Sequence, residues 1–238
     1  MSSESRRDDV PSREGSDTHE TISGTEWAGL VCIIILGLAV RFVRLGDQDL
    51  RSDEIVELFK AERLYDVLFH GMYLDTHAPF FPILTALWSA LGLTGNEWLI
   101  RALPVLIGVA AIPVLFALTR LLFGGRSALL AALLLAVSPF YVTLARDLKD
   151  DIFLVFVGVS TVYALVRAAR DNQRGWWSIY AVLAVVGCYA QFFMGPLLLG
   201  ANLWFLILAP VHRGRMRSWA LSNLVAFLLV VPVVFFAV

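Results

Sequence analysis

The sequence predicts an all-α polytopic membrane protein with about seven transmembrane helices and an external loop of juxtamembrane amphipathic helices after the first. Hydrophobic residues form 58% of the 238-residue chain and charged residues 16%, whereas soluble domains are nearer half apolar and a quarter charged. The mean hydropathy is +0.74. The apolar residues are concentrated in long runs, which is typical of membrane-spanning helices.

The amino-terminal segment has a different composition from the rest. Residues 1–25 are rich in Ser, Asp, Glu and Arg and contain almost no large apolar side chains. A segment of this kind cannot bury a core, so we expect a disordered cytoplasmic tail. Residues 26–238 then form the transmembrane domain.

The number of spans follows from the apolar runs and the basic residues between them. The runs are 27–45, 80–93, 99–123, 127–145, 152–169, 176–191, 195–211 and 218–238. Run 80–93 is short for a helix that crosses a bilayer, which needs about 20 residues. Arginines cluster around 120–126, 167–174 and 213–217, and the positive-inside rule places these segments in the cytoplasm. Seven spans result, with 46–98 and 146–151 outside.

The external loop 46–98 begins with a predicted amphipathic helix. Apolar residues recur at three- and four-residue spacings from Asp53 onward, which suits a helix lying along the membrane surface. Ser52 is a plausible helix start, and Asp53 and Glu54 then fall in the first turn, where the helix dipole favours acids. Two explanations of this acidic pair stay open at this point, helix capping and catalysis.

Three polar groups are predicted to meet on the external side of the membrane. They are Asp53-Glu54, the segment DTHAP with Asp75 and His77, and the segment RDLKDD with Arg146, Lys149, Asp150 and Asp151. Carboxylate and imidazole groups suit a divalent cation such as Mg²⁺, Mn²⁺ or Zn²⁺, although the pattern does not require one. Arginine and lysine suit a phosphate. Singly, each group has an ordinary explanation as a loop or solvated turn, so the prediction depends on their meeting on one side.

The order of these motifs resembles that of the integral-membrane glycosyltransferases of the C superfamily. The motifs are the external DE at 53–54, HAPF at 77–80, RALP at 101–104, RLLFG at 120–124 and SP at 138–139. In pattern the chain is similar to the protein O-mannosyltransferase and aminoarabinose-transferase-like families, family 39 among them. The resemblance covers roughly residues 35–195.

The resemblance implies an enzyme of the plasma membrane and cell envelope whose active site faces outside. Such an enzyme takes a sugar from a polyprenyl-phosphate donor in the membrane and passes it to a protein, lipid or glycan acceptor. By resemblance Asp53 is the catalytic carboxylate, with Glu54 beside it. His77, Asp150 and Asp151 would serve a metal or the donor phosphate, Arg146 and Lys149 would bind phosphate, and Asp75 and Gln191 are further candidates.

The chain departs from the family pattern in two ways. Gln191 occupies a position where the family often has histidine, and an amide is a poor metal ligand. The sequence also stops inside an apolar run, so we expect later helices and any C-terminal domain to be absent. A separately encoded C-terminal half is a candidate partner, whereas no nucleic acid is expected.

Two other functions compete with catalysis. One is a non-catalytic membrane subunit, a degenerate relative that binds polyprenyl phosphate or a partner glycosyltransferase. The other is a transporter, which usually carries internal repeats and ionisable groups near the middle of the membrane. The acids lie outside the apolar runs and no repeat is found, which disfavours the transporter.

Overall fold

A computed structural model of the protein describes residues 22–47, 49–69, 80–208 and 213–236. This part of the chain is helical, and no strand occurs in it. In chain order the helices are α1 (Gly24–Phe42), α2 (Ser52–Glu62), α3 (Leu64–Phe69), α4 (Phe80–Ala90), α5 (Glu97–Phe123), α6 (Gly125–Val137), α7 (Pro139–Leu144), α8 (Asp150–Asp171), α9 (Arg174–Ala190), α10 (Met194–Ile207) and α11 (Met216–Phe236).

The all-α membrane class is confirmed, and one predicted span is corrected. Helices α1, α5 and α8 are long and apolar enough to cross a bilayer, and α4, α6, α10 and most of α11 are shorter apolar helices. The predicted run 127–145 is not one helix, because it divides into α6 and α7 at Ser138-Pro139. Proline has no N–H to continue the α6 hydrogen bonds. The count of seven spans stays a prediction.

One end of the helix bundle collects two of the three predicted polar segments, Asp53-Glu54 and RDLKDD, and the third lies outside the described residues. Arg146 Nη2 donates to the carbonyl of Val43 at 3.0 Å, and Gln191 Nε2 donates to Asp151 Oδ1 at 3.1 Å. The end of α1, the starts of α5 and α8 and the end of α9 therefore meet there, together with α2. We call this the Asp53 end of the bundle.

The opposite end carries basic residues, as the topology prediction requires. Arg120 near the end of α5 lies 3.4 Å from Glu26 in the first turn of α1. Arg215 donates to the carbonyls of Ala169 and Arg170 at the end of α8. The acidic and basic segments thus occupy opposite ends of one bundle.

Small residues allow the helices of the core to approach closely. Ala128, Ala132 and Ala136 follow one another at four-residue spacing along α6 and are fully buried against α1 and α5. Small residues at such spacing are common where membrane helices pack together, because the backbones come into contact. On α5, a Cβ added at Gly108 would lie 2.8 Å from the Cβ of Ala145.

Helix α2 turns its polar face toward the protein and its apolar face away from it. Glu54, Glu57 and Lys60 are buried, whereas Ile55 and Phe59 are 53% and 43% exposed. A helix in water would show the reverse, since apolar side chains would then cover the core. An outward apolar face suits a helix in the membrane interface, and the location of α2 at the membrane surface stays a prediction. The helix begins at Ser52, as predicted, with Arg51 as its N-cap.

Arg41 is a fully buried arginine in α1 that caps the end of α6. Its Nη1 donates to the carbonyl of Ala136 at 2.8 Å and its Nη2 to that of Leu135 at 3.3 Å. The last carbonyls of a helix have no donor within the helix, and α6 ends at Val137. The guanidinium also lies 5.2 Å from the centre of the Tyr141 ring. Arg41 therefore stabilises the break between α6 and α7.

We predict that Arg41→Ala lowers the free energy of unfolding by about 2–4 kcal/mol, because it opens a cavity and leaves buried carbonyls without donors. Thermal unfolding in detergent, followed by tryptophan fluorescence, measures the change. Arg126→Ala, at an exposed arginine of α6, is the matched control and should shift stability by less than about 0.5 kcal/mol. Equal melting temperatures for the Arg41 variant and the wild type would contradict the capping role.

Candidate active site at the Asp53 end

Glu54 is completely buried at the first turn of α2 and forms a two-point ion pair with Arg101 of α5. Arg101 Nε donates to Oε1 at 2.9 Å and Arg101 Nη2 donates to Oε2 at 2.7 Å. The two side chains are 0% and 5% exposed. This fork geometry is the strongest arrangement of an arginine with a carboxylate.

Glu54 also binds two backbone groups from distant parts of the chain. The N–H of Arg51 donates to it at 2.9 Å and that of Leu148 at 3.1 Å. Burial acts to raise the pKa of Glu54, but the hydrogen bonds from Arg101 and these backbone groups outweigh it and hold the pKa below its usual value. With four hydrogen bonds, the Glu54 carboxylate ties α2 to α5 and to the α7–α8 connection.

Asp53, the neighbour of Glu54, points outward. Its side chain is 64% exposed, and its Oδ2 lies 2.5 Å from Lys149 Nζ. The hydrogen bond from Lys149, followed by the charge of Lys149, holds the pKa of Asp53 below its ordinary value. The same contact raises the pKa of Lys149. Asp53 is therefore an ionised, accessible carboxylate at neutral pH.

Asp150 and Asp151 of RDLKDD lie at the start of α8, next to the end of α9. Asp151 accepts a hydrogen bond from Gln191 Nε2 at 3.1 Å, and Asp150 is only 8% exposed. Gln191 is 7% exposed, and its Oε1 is buried without a hydrogen-bond partner in the described structure. The structure thus brings Gln191 and Asp151 together, as part of one polar group.

The two predicted phosphate-binding residues, Arg146 and Lys149, occupy different places. Lys149 pairs with Asp53, whereas Arg146 donates to the carbonyls of Val43 and Arg44 at 3.0 and 2.8 Å. Only Lys149 is directly beside the predicted catalytic carboxylate.

Sequence reasoning missed two ion pairs at this end of the bundle. One is Arg101 with Glu54, and the other is Arg51 with Asp147, in which Nη1 lies 2.7 Å from Oδ2. Arg101 entered only as part of the RALP motif. Arg101 lies in the first turns of a long apolar helix, where an arginine needs a buried partner. This position was the signal in the sequence that could have identified it as part of an ion pair. Arg51 and Asp147 lie in loops, and nothing local in the sequence identifies them as a pair.

The described residues do not assemble a metal site by themselves. Within 22–47, 49–69, 80–208 and 213–236, no group of three or more His, Cys, Asp or Glu side chains is placed to hold a cation. Asp53 and Asp151 instead contact a lysine and an amide. The candidates Asp75 and His77 lie outside the described residues.

The family of the chain follows from comparison with known proteins. Residues 76–236, more than half of the chain, match the family described as dolichyl-phosphate-mannose-protein mannosyltransferase. The chain belongs to this family. The matched segment contains Asp150, Asp151 and Gln191 and begins after Asp53.

One protein similar in sequence and one solved structure similar in fold add to this family match. The putative mannosyltransferase YkcB of Bacillus subtilis (strain 168) is 25% identical over 140 residues, which are 59% of this chain and 20% of that protein. The apo crystal structure of ArnT from Cupriavidus metallidurans has a TM-score of 0.68 at 22% identity, and the match covers 90% of this chain and 42% of that one. The likeness to ArnT concerns the fold. The chain spans less than half the length of either relative.

We predict stability effects of very different size for the two neighbouring acids. Glu54→Gln should lower the free energy of unfolding by about 3–5 kcal/mol, because it leaves the charge of buried Arg101 uncompensated. Asp53→Asn should leave the free energy of unfolding close to that of the wild type, because the side chain is exposed. Thermal melts of the purified variants compare the two.

Glu62→Gln supplies the control, since Glu62 is an exposed acid on the same helix. A Glu54 variant as stable as the Glu62 variant would contradict the anchoring role of Glu54.

Proposed function

We propose that the protein takes part in sugar transfer from a polyprenyl-phosphate donor to a protein, lipid or glycan acceptor, on the outer face of the plasma membrane. The family match and the fold support a membrane glycosyltransferase of this class. The observation that carries the proposal is the exposed, ionised Asp53 held against Lys149 at the end of the bundle opposite the basic segments. The positive-inside rule assigns that end to the outside.

Asp53 is the proposed general base. An acceptor hydroxyl that approaches this open carboxylate gives its proton to Oδ2, and the oxygen attacks the anomeric carbon of the donor sugar. The bond from that carbon to the phosphate oxygen breaks, and polyprenyl phosphate leaves with the electron pair. General-base catalysis of this kind contributes roughly 10²–10⁴-fold to a rate. A single displacement inverts the anomeric configuration.

Lys149 is the proposed partner of both Asp53 and the leaving phosphate. In the free protein its ammonium pairs with Asp53 and lowers the pKa of that carboxylate. A donor phosphate competes for the same ammonium, and a shift of Lys149 toward it removes this influence. The pKa of Asp53 then rises toward its ordinary value, which makes Asp53 a stronger base when the donor is bound. Lys149 meanwhile stabilises the charge that develops on the phosphate.

Gln191 and Asp151 are proposed to bind the sugar. The buried Oε1 of Gln191 has no donor among the described residues, and a sugar hydroxyl is a suitable one. The hydrogen bond from Gln191 Nε2 to Asp151 fixes the orientation of the amide. Glu54 takes the role of a positioning residue, because all its carboxylate bonds go to Arg101 and to backbone groups.

A non-catalytic subunit is the second candidate, and one observation favours it. Asp53 is engaged in an ion pair with Lys149, with 2.5 Å between Oδ2 and Nζ, and a carboxylate held in this way can serve the fold or a partner without acting as a base. A subunit of this kind would bind the donor or a partner enzyme without using Asp53 as a base.

Asp53→Asn and Asp151→Asn separate the two candidates. If the chain is catalytic, Asp53→Asn should reduce sugar transfer in membranes by roughly 10²–10⁴-fold while expression stays normal. Asp151→Asn should also reduce transfer, because it removes the charge beside Gln191. Incubation of membranes with a panel of radiolabelled polyprenyl-phosphate sugars measures transfer and identifies the donor, with Glu62→Gln as the control. Unchanged transfer in the Asp53 variant would favour the subunit.

The pH dependence of kcat/KM tests the pairing of Asp53 with Lys149. Because Lys149 lowers the pKa of Asp53, the ionised base is present above that lowered pKa and is lost as the pH falls through it. The acid limb of the wild type should therefore lie below the ordinary value of about 3.9. In Lys149→Met it should move upward toward that value, together with a loss of rate. An acid limb at the same pH in both proteins would contradict the pairing.

A further inference from the structure

A small cavity lined by arginines lies at the Asp53 end, apart from Asp53 itself. Its volume is about 190 Å³, and it lies between the end of α1, the α1–α2 connection and the α7–α8 connection. The polar and charged residues that line it are Arg44, Arg51, Arg101, Thr143, Arg146 and Asp147. Neither Asp53 nor Lys149 lines it. We call it the arginine cavity.

The positive charge of the arginine cavity is only partly balanced by carboxylates. Arg44 pairs with Asp47 at 2.6 Å, and Arg51 pairs with Asp147 at 2.7 Å. Arg101 pairs with the buried Glu54, as described above. These three acids balance three of the four arginines.

Arg146 is the fourth arginine, and it has no carboxylate partner in the described part of the chain. Its Nη2 donates to the carbonyls of Val43 and Arg44, while its Nε and Nη1 make no hydrogen bond to the described residues. Arg44 adopts φ 58°, in the left-handed region, and its carbonyl accepts one of these bonds. The guanidinium of Arg146 is thus held in place with donors to spare.

The volume and the charge together limit what could bind there. Pockets for drug-sized ligands are about 300–1,000 Å³, so the arginine cavity is too small for an oligosaccharide. A phosphate group is compact, carries the opposite charge and accepts strong hydrogen bonds from guanidinium donors. The exposed side chains of Arg44 and Arg51, at 78% and 54%, leave the cavity accessible.

We propose that the arginine cavity binds a second phosphate group, distinct from the phosphate of the sugar donor beside Lys149. The ligand is a phosphate ester or a lipid headgroup, and Arg146 is its principal contact. Arg44 and Arg51 line the mouth of the cavity, and Arg101 lines its buried end. This site goes beyond the proposed transfer reaction, since it adds recognition of an anionic acceptor or membrane lipid.

Two binding measurements distinguish the sources of phosphate. The full chain is placed in nanodiscs of phosphatidylcholine, and equilibrium binding of radiolabelled inorganic phosphate is measured at low ionic strength, where charge interactions are least screened. In parallel, nanodiscs that contain phosphatidylglycerol are dissociated, and native mass spectrometry counts the retained lipid. Binding in the first measurement indicates a soluble phosphate group, and retention only in the second indicates a headgroup. Neither measurement requires turnover, so its outcome is independent of the proposed catalysis.

Arg146→Gln should weaken the measured binding by roughly tenfold or more, because the charge and the spare Nε and Nη1 donors are lost. Arg44→Gln and Arg51→Gln should weaken it less. Because the side chains of Arg44 and Arg51 are largely exposed, these two variants should fold normally. They therefore test the phosphate site even if Arg146→Gln does not fold. Arg126→Gln, at an exposed arginine outside the cavity, is the matched control and should bind as the wild type does.

Three results would overturn the proposal. They are the absence of binding in both measurements, equal binding by the wild type and by all three cavity variants, and an equal loss in the Arg126 control. The last of these would indicate attraction by net charge alone.

Discussion

The buried ion pair of Glu54 with Arg101 is the constraint on which the Asp53 end depends. A carboxylate and a guanidinium taken out of water are stable only when all their hydrogen bonds are satisfied. Here Arg101 supplies two of the bonds to Glu54, and the backbone at Arg51 and Leu148 supplies the others. Arg101 in turn binds the carbonyls of Leu45 and Asp49. One pair therefore fixes the start of α2, the loop before it and the α7–α8 connection.

The direction of Asp53 is a consequence of this anchor. Successive residues on an α-helix are separated by about 100° around its axis, so a buried Glu54 turns the preceding side chain toward the surface. Because Glu54 also holds Leu148, the next residue along the chain, Lys149, reaches Asp53. The structural acid and the proposed catalytic acid are thus neighbours in sequence with opposite surroundings.

The arginines at this end contribute in different ways because their partners differ. Arg41 and Arg146 bind carbonyls at helix ends, where the helix dipole is negative and no carboxylate is needed. Arg101 pairs with the buried Glu54, while Arg51 pairs with Asp147 at a more exposed position. Because Arg146 binds carbonyls at the end of α1 through Nη2 alone, its Nε and Nη1 donors are available to a ligand. This makes the arginine cavity suitable for an anion.

The sequence alone determined the class of the protein and most of its long helices, because hydropathy and helix period act over a few neighbouring residues. It also grouped Asp53 with RDLKDD, since the topology follows from the order of apolar runs and arginines. It could not assign Glu54, because Arg101 lies 47 residues away and Leu148 lies 94 residues away. Nor could it separate Lys149 from Arg146 or divide the run 127–145 at the correct residue. Those features depend on which helix ends meet, and only the packing of the helices decides that.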